Sequence, residues 1–519
     1  MAQIKIENLT FTYPQGEKAS VKDMSLEINK GEFIVVCGKS GCGKTTLLRC
    51  LKNSIAPSGK KEGEILLEGV DNTTLSVREE AGKIGFVFQH PQHQLVTDKV
   101  WHELAFGLEN MGVKSGEMKL RVAETADYFG FSDKLYNHVE TLSGGQKQLL
   151  NIAAVMVMQP EVIILDEPAA QLDPIAAEQL LLVLQKINRD FGTTIILSEH
   201  RLNRVFYMAD KVLFMEEGKA VAWGEPRNVA MQLKKTEFFN AMPEAVKIYS
   251  EFEQEAEKCP LTIGEARRWI SASKFKDEIY NKYEEESDNK KGTQADKYTE
   301  TAIALKDIWF RYERNEADVI KGLSLNIKRG EIFGIVGGNG AGKSTLLSIM
   351  CKGLKPYRGK IKSDGFVSML VQDVQCLFLK DSVIEEMETM SNHEKISEML
   401  QIMELEEKKE MHPYDLSGGE QQRLGMSKLL LNEPDIILLD EPTKGMDEIW
   451  KEKFADILVD LKKKGRTVVI VSHDIEFLSQ YADRCGMFFD GDIISVEKSR
   501  KFFRNNRFYT TEREKILRK

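Results

Sequence analysis

Apolar and polar residues alternate in IKIENLTF (4–11) and again in IALKDIWF (303–310), which predicts two half-buried strands. Uninterrupted apolar runs behave differently. EFIVVCG (32–38) and EIFGIVG (331–337) each run into a glycine-rich turn, and KTTLLRCL (44–51) and KSTLLSIM (343–350) then read as helices. VIILD (162–166) and IILLD (436–440), with TTIILS (193–198) and TVVIVS (467–472), read as buried parallel strands. Strands alternating with helices predict a parallel α/β sheet.

These elements are written twice. GKSGCGKTT (38–46) matches GGNGAGKST (337–345), VIILDEP (162–168) matches IILLDEP (436–442), and LSGGQ (142–146) matches LSGGE (416–420). His200 and His473 follow the last strands of each set, and Tyr13 and Tyr312 sit at the same distance before their glycine loops. Five landmarks in one order indicate a duplicated domain. The second copy is shorter between Gly337 and Gln372 and between Gln372 and Leu416, a loss expected where the core joins a helical insert.

At 519 residues the chain exceeds one hydrophobic core. The boundaries expected are 1–230 for the first domain, 231–298 for a linker, 299–497 for the second domain and 498–519 for a tail. In the linker, LTIGEARRWI (261–270) suits a short helix and EEESDNKKGTQADK (284–297) a flexible charged stretch. The start, MAQIKIENLT, lacks the basic and apolar regions of a secretion signal, and no apolar run approaches the roughly 20 residues of a membrane span. Seven cysteines without a CxxC pair suggest neither a disulfide framework nor a zinc site, so a reducing cytoplasm is the simplest setting. A net charge of −9 argues against a nucleic-acid-coating surface.

Both glycine loops fit GxxxxGK[ST] between a strand and a helix, where backbone N–H groups close around phosphate oxygens. The phosphate-binding set is therefore Gly38, Lys39, Ser40, Gly41, Cys42, Gly43, Lys44, Thr45 and Thr46, with Gly337, Gly338, Asn339, Gly340, Ala341, Gly342, Lys343, Ser344 and Thr345 in the second copy. Lys44 and Lys343 would reach the β- and γ-phosphates of ATP, and Thr45 and Ser344 would hold Mg²⁺ together with the strand-end Asp166 and Asp440. Glu167 and Glu441 follow at once and could polarise an attacking water, with His200 and His473 keeping glutamate and water in line. Gln89 and Gln372, after the runs IGFVF and FVSMLV, could complete the Mg²⁺ or water shell. Tyr13 and Tyr312 could stack on adenine or simply cover a sheet edge.

LSGG needs a separate reading. Ser143, Gly144, Gly145 and Gln146, like Ser417, Gly418, Gly419 and Glu420, open a helix whose N-terminus attracts anions. Each domain's own phosphates already have a glycine loop. The spare anion site is thus expected to face the other domain's nucleotide, Ser143 toward that at Lys343 and Ser417 toward that at Lys44.

This constellation resembles the nucleotide-binding domains of ABC ATPases. The resemblance implies an α/β fold with two tandem P-loop NTPase (ABC-type) domains, each a mainly parallel sheet core with an antiparallel β subdomain and a helical insert. It also implies ATP hydrolysis with Mg²⁺ in a pseudo-dimer of the two cassettes. FVFQHPQHQLVTDKVWHELAFGLEN (86–110), SEHRL (198–202), CPLTIGEARRWI (259–270), ADRCGMFFDGDI (482–493) and FFRNNRFYTTE (502–512) look like the fused ATPase of energy-coupling factor (ECF) transporters. That likeness implies import of a vitamin, vitamin precursor or metal ion, and a peripheral place on the cytoplasmic face of the membrane. Its partners would be a transmembrane coupling subunit and a substrate-binding membrane subunit, with no nucleic acid. Where that family often has QNPDNQ, the first copy has QHPQHQ and the second only QDVQCL, and both D-loops, AAQLD (169–173) and TKGMD (443–447), differ from the usual pattern. The alternative is a soluble ABC-F-type translation factor, whose linker should be basic to approach ribosomal RNA. Residues 231–300 instead hold 12 Lys+Arg against 15 Asp+Glu.

Overall fold

The alternating segments form the outer strands Ala2–Thr12 and Thr301–Phe310, each hydrogen-bonded on both sides in antiparallel fashion. The computed structural model describes residues 2–14, 16, 18–170, 172, 174–289, 300–338, 340–391 and 393–518. The chain divides into two units, Met1–Ala266 and Arg267–Lys519.

Among the described residues the first unit carries two sheets. One is antiparallel, in the order Val21–Asn29, Ala2–Thr12, Lys60–Leu67, Val70–Asp71. The other runs Lys219–Gly224, Lys211–Glu216, Phe33–Gly38, Thr194–Ser198, Val162–Asp166, Ile84–Val87, and is parallel except for its first pair. Val162–Asp166 is buried at every position, which is why it reads as an unbroken apolar run. Ile4, Ile6 and Leu9 of the antiparallel sheet share one apolar core with Ile34, Leu47 and Ile164. That core fixes the glycine loop between the two sheets.

The second unit repeats this plan with three antiparallel strands, Ile320–Lys328, Thr301–Phe310 and Arg358–Ser363. Its larger sheet runs Val367–Leu370, Ile436–Asp440, Thr467–Val471, Ile332–Val336, Arg484–Phe489, Asp492–Lys498. The duplication extends to backbone torsions. Asn8, Gln159, Glu167 and Glu217 have positive φ, and so do their counterparts Asp307, Glu433, Glu441 and Asp490.

The shortening of the second copy falls in two places. The first loss precedes the strand that leads to the glutamine. Residues 68–83, which contain the helix Val77–Lys83, are replaced by the short connection 364–366. This corrects the expectation that both losses adjoin the helical insert. The second loss does lie there. Helices of 11 and 14 residues, Val100–Asn110 and Ser115–Tyr128, become Val383–Glu388 and His393–Ile402, of 6 and 10.

After the first larger sheet, Glu244–Phe252 and Ile263–Ala272 are helical, the latter where a short helix was expected. Lys276–Asn289 continues as a helix through part of the stretch expected to be flexible, and 290–299 lie outside the described residues. The tail is ordered through helices Ser499–Asn505 and Glu512–Leu517, with Phe502 and Phe503 buried in the second core. Among the described residues no helix is long and apolar enough to cross a membrane.

Candidate functional site

The first glycine loop closes on its own lysine. Gly43 caps the following helix with φ 102°, a left-handed conformation in which an added Cβ would strike the Ser20 carbonyl oxygen. Lys44 is buried, and its ammonium donates to the carbonyls of Gly38 and Lys39, at 3.0 Å each. Those bonds hold a cation at the centre of the loop, where an entering phosphate needs one. Lys39 turns outward to Glu237 at 2.9 Å, Ser40 and Gly41 are exposed, and Cys42 is buried. Burial pushes the Cys42 thiol up, so it is no nucleophile here.

Asp166 ends its strand directly opposite Ser198 and accepts a hydrogen bond from that hydroxyl at 2.8 Å. Thr45 also bonds Asp166, which joins the two proposed Mg²⁺ ligands. Burial, then the neighbouring Glu167 charge, raises the Asp166 carboxyl above its ordinary range. A hydroxyl and a carboxylate beside a phosphate loop are hard oxygen donors of the type Mg²⁺ takes.

Glu167 sits at φ 46°, a conformation that costs a non-glycine residue roughly 1–3 kcal/mol. The turn aims its carboxylate at two partners. Gln89 Nε2 donates at 2.9 Å, and His200 Nε2 lies 2.7 Å away. Burial alone would raise this carboxyl, but the charge and hydrogen bond of His200, then Lys44 and His90, hold it below its ordinary range. Gln89, Glu167 and His200 therefore form one connected group. Tyr13 bonds Thr46 at 3.1 Å and packs edge-on against Phe11, so its ring is fixed beside the loop with one face exposed.

The second site has the same parts, differently joined. Lys343 donates to Gly337 and Gly338 at 2.9 and 2.8 Å, Ser344 bonds Asp440, and Tyr312 bonds Thr345 at 2.9 Å. Gly340 and Ala341 complete the described loop, Gly342 caps its helix at φ 111°, and Asn339 lies outside the described residues. Burial raises Asp440 as it raises Asp166. Glu441 repeats the left-handed turn at φ 50°. Here His473 Nε2 stands 3.4 Å from Glu441 and 3.4 Å from Lys343. Gln372 is exposed and makes no bond to Glu441 among the described residues. Its counterpart Gln89 is half-buried and bonded.

The two LSGG turns are capping boxes. The side chains and backbones of Ser143 and Gln146, and of Ser417 and Glu420, bond reciprocally and start helices of 13 and 14 residues. Gly144 and Gly418 are open to solvent. Gly145 and Gly419 answer to packing instead: a Cβ would press on Ala176 in the first and on the Gly445 carbonyl in the second.

Two participants were missed from sequence. Glu199 is buried beside His200, and a charged residue at the end of an apolar strand is the sequence signal that marks it. Lys444, where the first copy has Ala170, lies close enough to Glu441, Asp373 and Asp440 for their charges to act on it. Burial nonetheless lowers its ammonium below the usual lysine range.

The family model described as ABC transporter matches residues 21–170 and 320–444. A Bacillus thuringiensis subsp. konkukian protein that carries the name of an ABC transporter ATP-binding protein is 39% identical over 540 residues, spanning 100% of this chain and 96% of its own. A Methanosarcina acetivorans protein with the same name is 33% identical over 523 residues, 95% of this chain and 85% of that one. The solved structure of cbiO1 from Clostridium perfringens, part of the ABC transporter complex cbiONQ, is 32% identical at a TM-score of 0.41. It covers 44% of this chain and 90% of that chain.

Proposed function

The chain belongs to the ABC transporter ATP-binding family, with two such domains in tandem, and from that premise we infer that it binds and hydrolyses ATP to power an ECF-type importer. The cargo class is a vitamin, a vitamin precursor or a metal ion. The observation that carries hydrolysis is the connected group Gln89–Glu167–His200 beside the lysine-filled loop. The ECF assignment rests on the sequence stretches around 86–110, 198–202, 259–270, 482–493 and 502–512.

Lys44 and the loop amides bind and orient the phosphates. Glu167, kept ionised by His200, accepts a hydrogen bond from the attacking water and takes its proton as the water oxygen bonds to the γ-phosphorus and the bond from that phosphorus to the β–γ bridging oxygen breaks, leaving ADP and phosphate. His200 stays hydrogen-bonded to that carboxylate and keeps it aimed. Thr45, Asp166 and Gln89, with Ser344, Asp440 and Gln372 in the second copy, would hold Mg²⁺, which neutralises developing charge on the phosphate oxygens. Each LSGG turn is assigned to the nucleotide of the other cassette.

Glu167→Gln and Glu441→Gln should each slow turnover on the order of 10²–10⁴-fold at their own site while ATP binding persists. Unchanged hydrolysis of the Lys343 nucleotide in Glu441→Gln, read by site-resolved nucleotide trapping, would show that the second site does not depend on Glu441. For the transport reading, affinity purification from membranes should bring down two integral membrane proteins. Co-sedimentation with ribosomes in their place would identify a translation factor instead.

A further inference from the structure

We propose that Glu199 is a positioning residue of the first site, and that its replacement by serine in the second copy makes the two sites unequal. Strand register sets the correspondence. Thr194 lies opposite Val162 and Thr467 opposite Ile436, so Glu199 and Ser472 occupy equivalent positions, each one before its histidine. Both must hold the loop that carries the ring.

The loop presents two backbone N–H groups, from the histidine and from the residue after it. In the first site one carboxylate oxygen serves both, with Glu199 Oε1 accepting from His200 at 3.1 Å and from Arg201 at 3.2 Å. Glu199 is 5% exposed, and its Oε2 is buried without a hydrogen-bond partner. A buried carboxyl left half-satisfied is costly to keep, so an ordinary surface role does not explain it.

Ser472 is too short to serve both. Its hydroxyl accepts from Asp474 N at 3.0 Å, while His473 N turns to Glu441 Oε2 at 3.2 Å. Ser472 Oγ donates to the same Glu441 oxygen at 3.4 Å. The glutamate meant for the water is thus engaged by the loop, and the imidazole sits 3.4 Å from it. In the first site Glu199 relieves Glu167 of that duty, and the His200 ring closes to 2.7 Å. Glu199 does not touch the reacting atoms. It frees the residue that does.

This rests on the ATPase reading, and the experiment separates the two. Steady-state hydrolysis of the full chain is measured against MgATP, with melting temperature recorded for every variant. Loss of hydrolysis in Glu167→Gln establishes the reading, whereas a chain with no Glu167-dependent turnover overturns the reading and this inference together. Given that turnover, Glu199→Ser should lower kcat about tenfold, with KM changed by less than about twofold. Glu199→Gln keeps an oxygen for both N–H groups and should retain most of the wild-type kcat. The reciprocal Ser472→Glu should raise turnover by releasing Glu441. Wild-type kcat in Glu199→Ser overturns the proposal, and so does an equal loss in the serine and glutamine variants. If Glu199→Ser does not fold, Ser472→Glu decides: no rise in its turnover overturns the proposal.

Discussion

Glu167 shows how much of a site one residue can announce and how much it cannot. Its place after VIILD marks it as a candidate base, but the left-handed turn at φ 46° that points it at Gln89 and His200 depends on tertiary packing. Its pH behaviour follows from the same contacts. Because its carboxyl is held below its ordinary value of 4.5, it stays ionised as pH falls through that value, and the stabilisation it gains from His200 is lost only below it. Turnover should therefore show no acid limb belonging to Glu167 above about pH 5. A limb above that pH which shifts in Glu167→Asp would contradict the assignment. Glu199 and Lys444 escaped the sequence because the burial of Glu199, and the approach of Asp373 to Lys444, come from tertiary packing.

Strands and helices were more legible than their junctions. Alternation and unbroken apolar runs located the strands around both glycine loops, since period and burial leave a direct mark on sequence. The missing connection after Ser363 left only a length difference, which does not say where residues were lost. The tail is the other lesson. It is basic and aromatic, and two of its aromatics pack inside: Phe502 and Phe503 are each 1% exposed, whereas Phe508 is 85% exposed. The short helix that follows places Ile516 and Leu517 inside as well, and Arg267 donates to the Lys515 carbonyl at 2.8 Å. Phe502→Ala should destabilise the second unit by about 3–5 kcal/mol. By differential scanning calorimetry the transition of that unit should fall while the first is unchanged. Retained melting with lost binding to anionic liposomes would point to a membrane role for the tail instead.

For the whole molecule, duplication fixed the architecture and divergence carries the functional interest. The proposal that each LSGG turn serves the opposite cassette makes a directional claim. Ser143→Arg should impair hydrolysis at the Lys343 nucleotide more than at the Lys44 nucleotide, as read by site-resolved photolabelling of the two loops. Damage confined to the Lys44 nucleotide would overturn that assignment. The helix it starts should also lose its cap, at a cost of about 1 kcal/mol.

The burial of Phe502, Phe503, Ile516 and Leu517 has a consequence during synthesis. Residues 1–266 form a compact unit of their own, so that unit's chain is complete while the ribosome is still translating the second. The second cannot close its core until residues 502–517 have been made. A nascent chain interrupted before then would pair a finished cassette with one whose apolar interior lies open, a form that chaperones and proteases can distinguish from the complete protein.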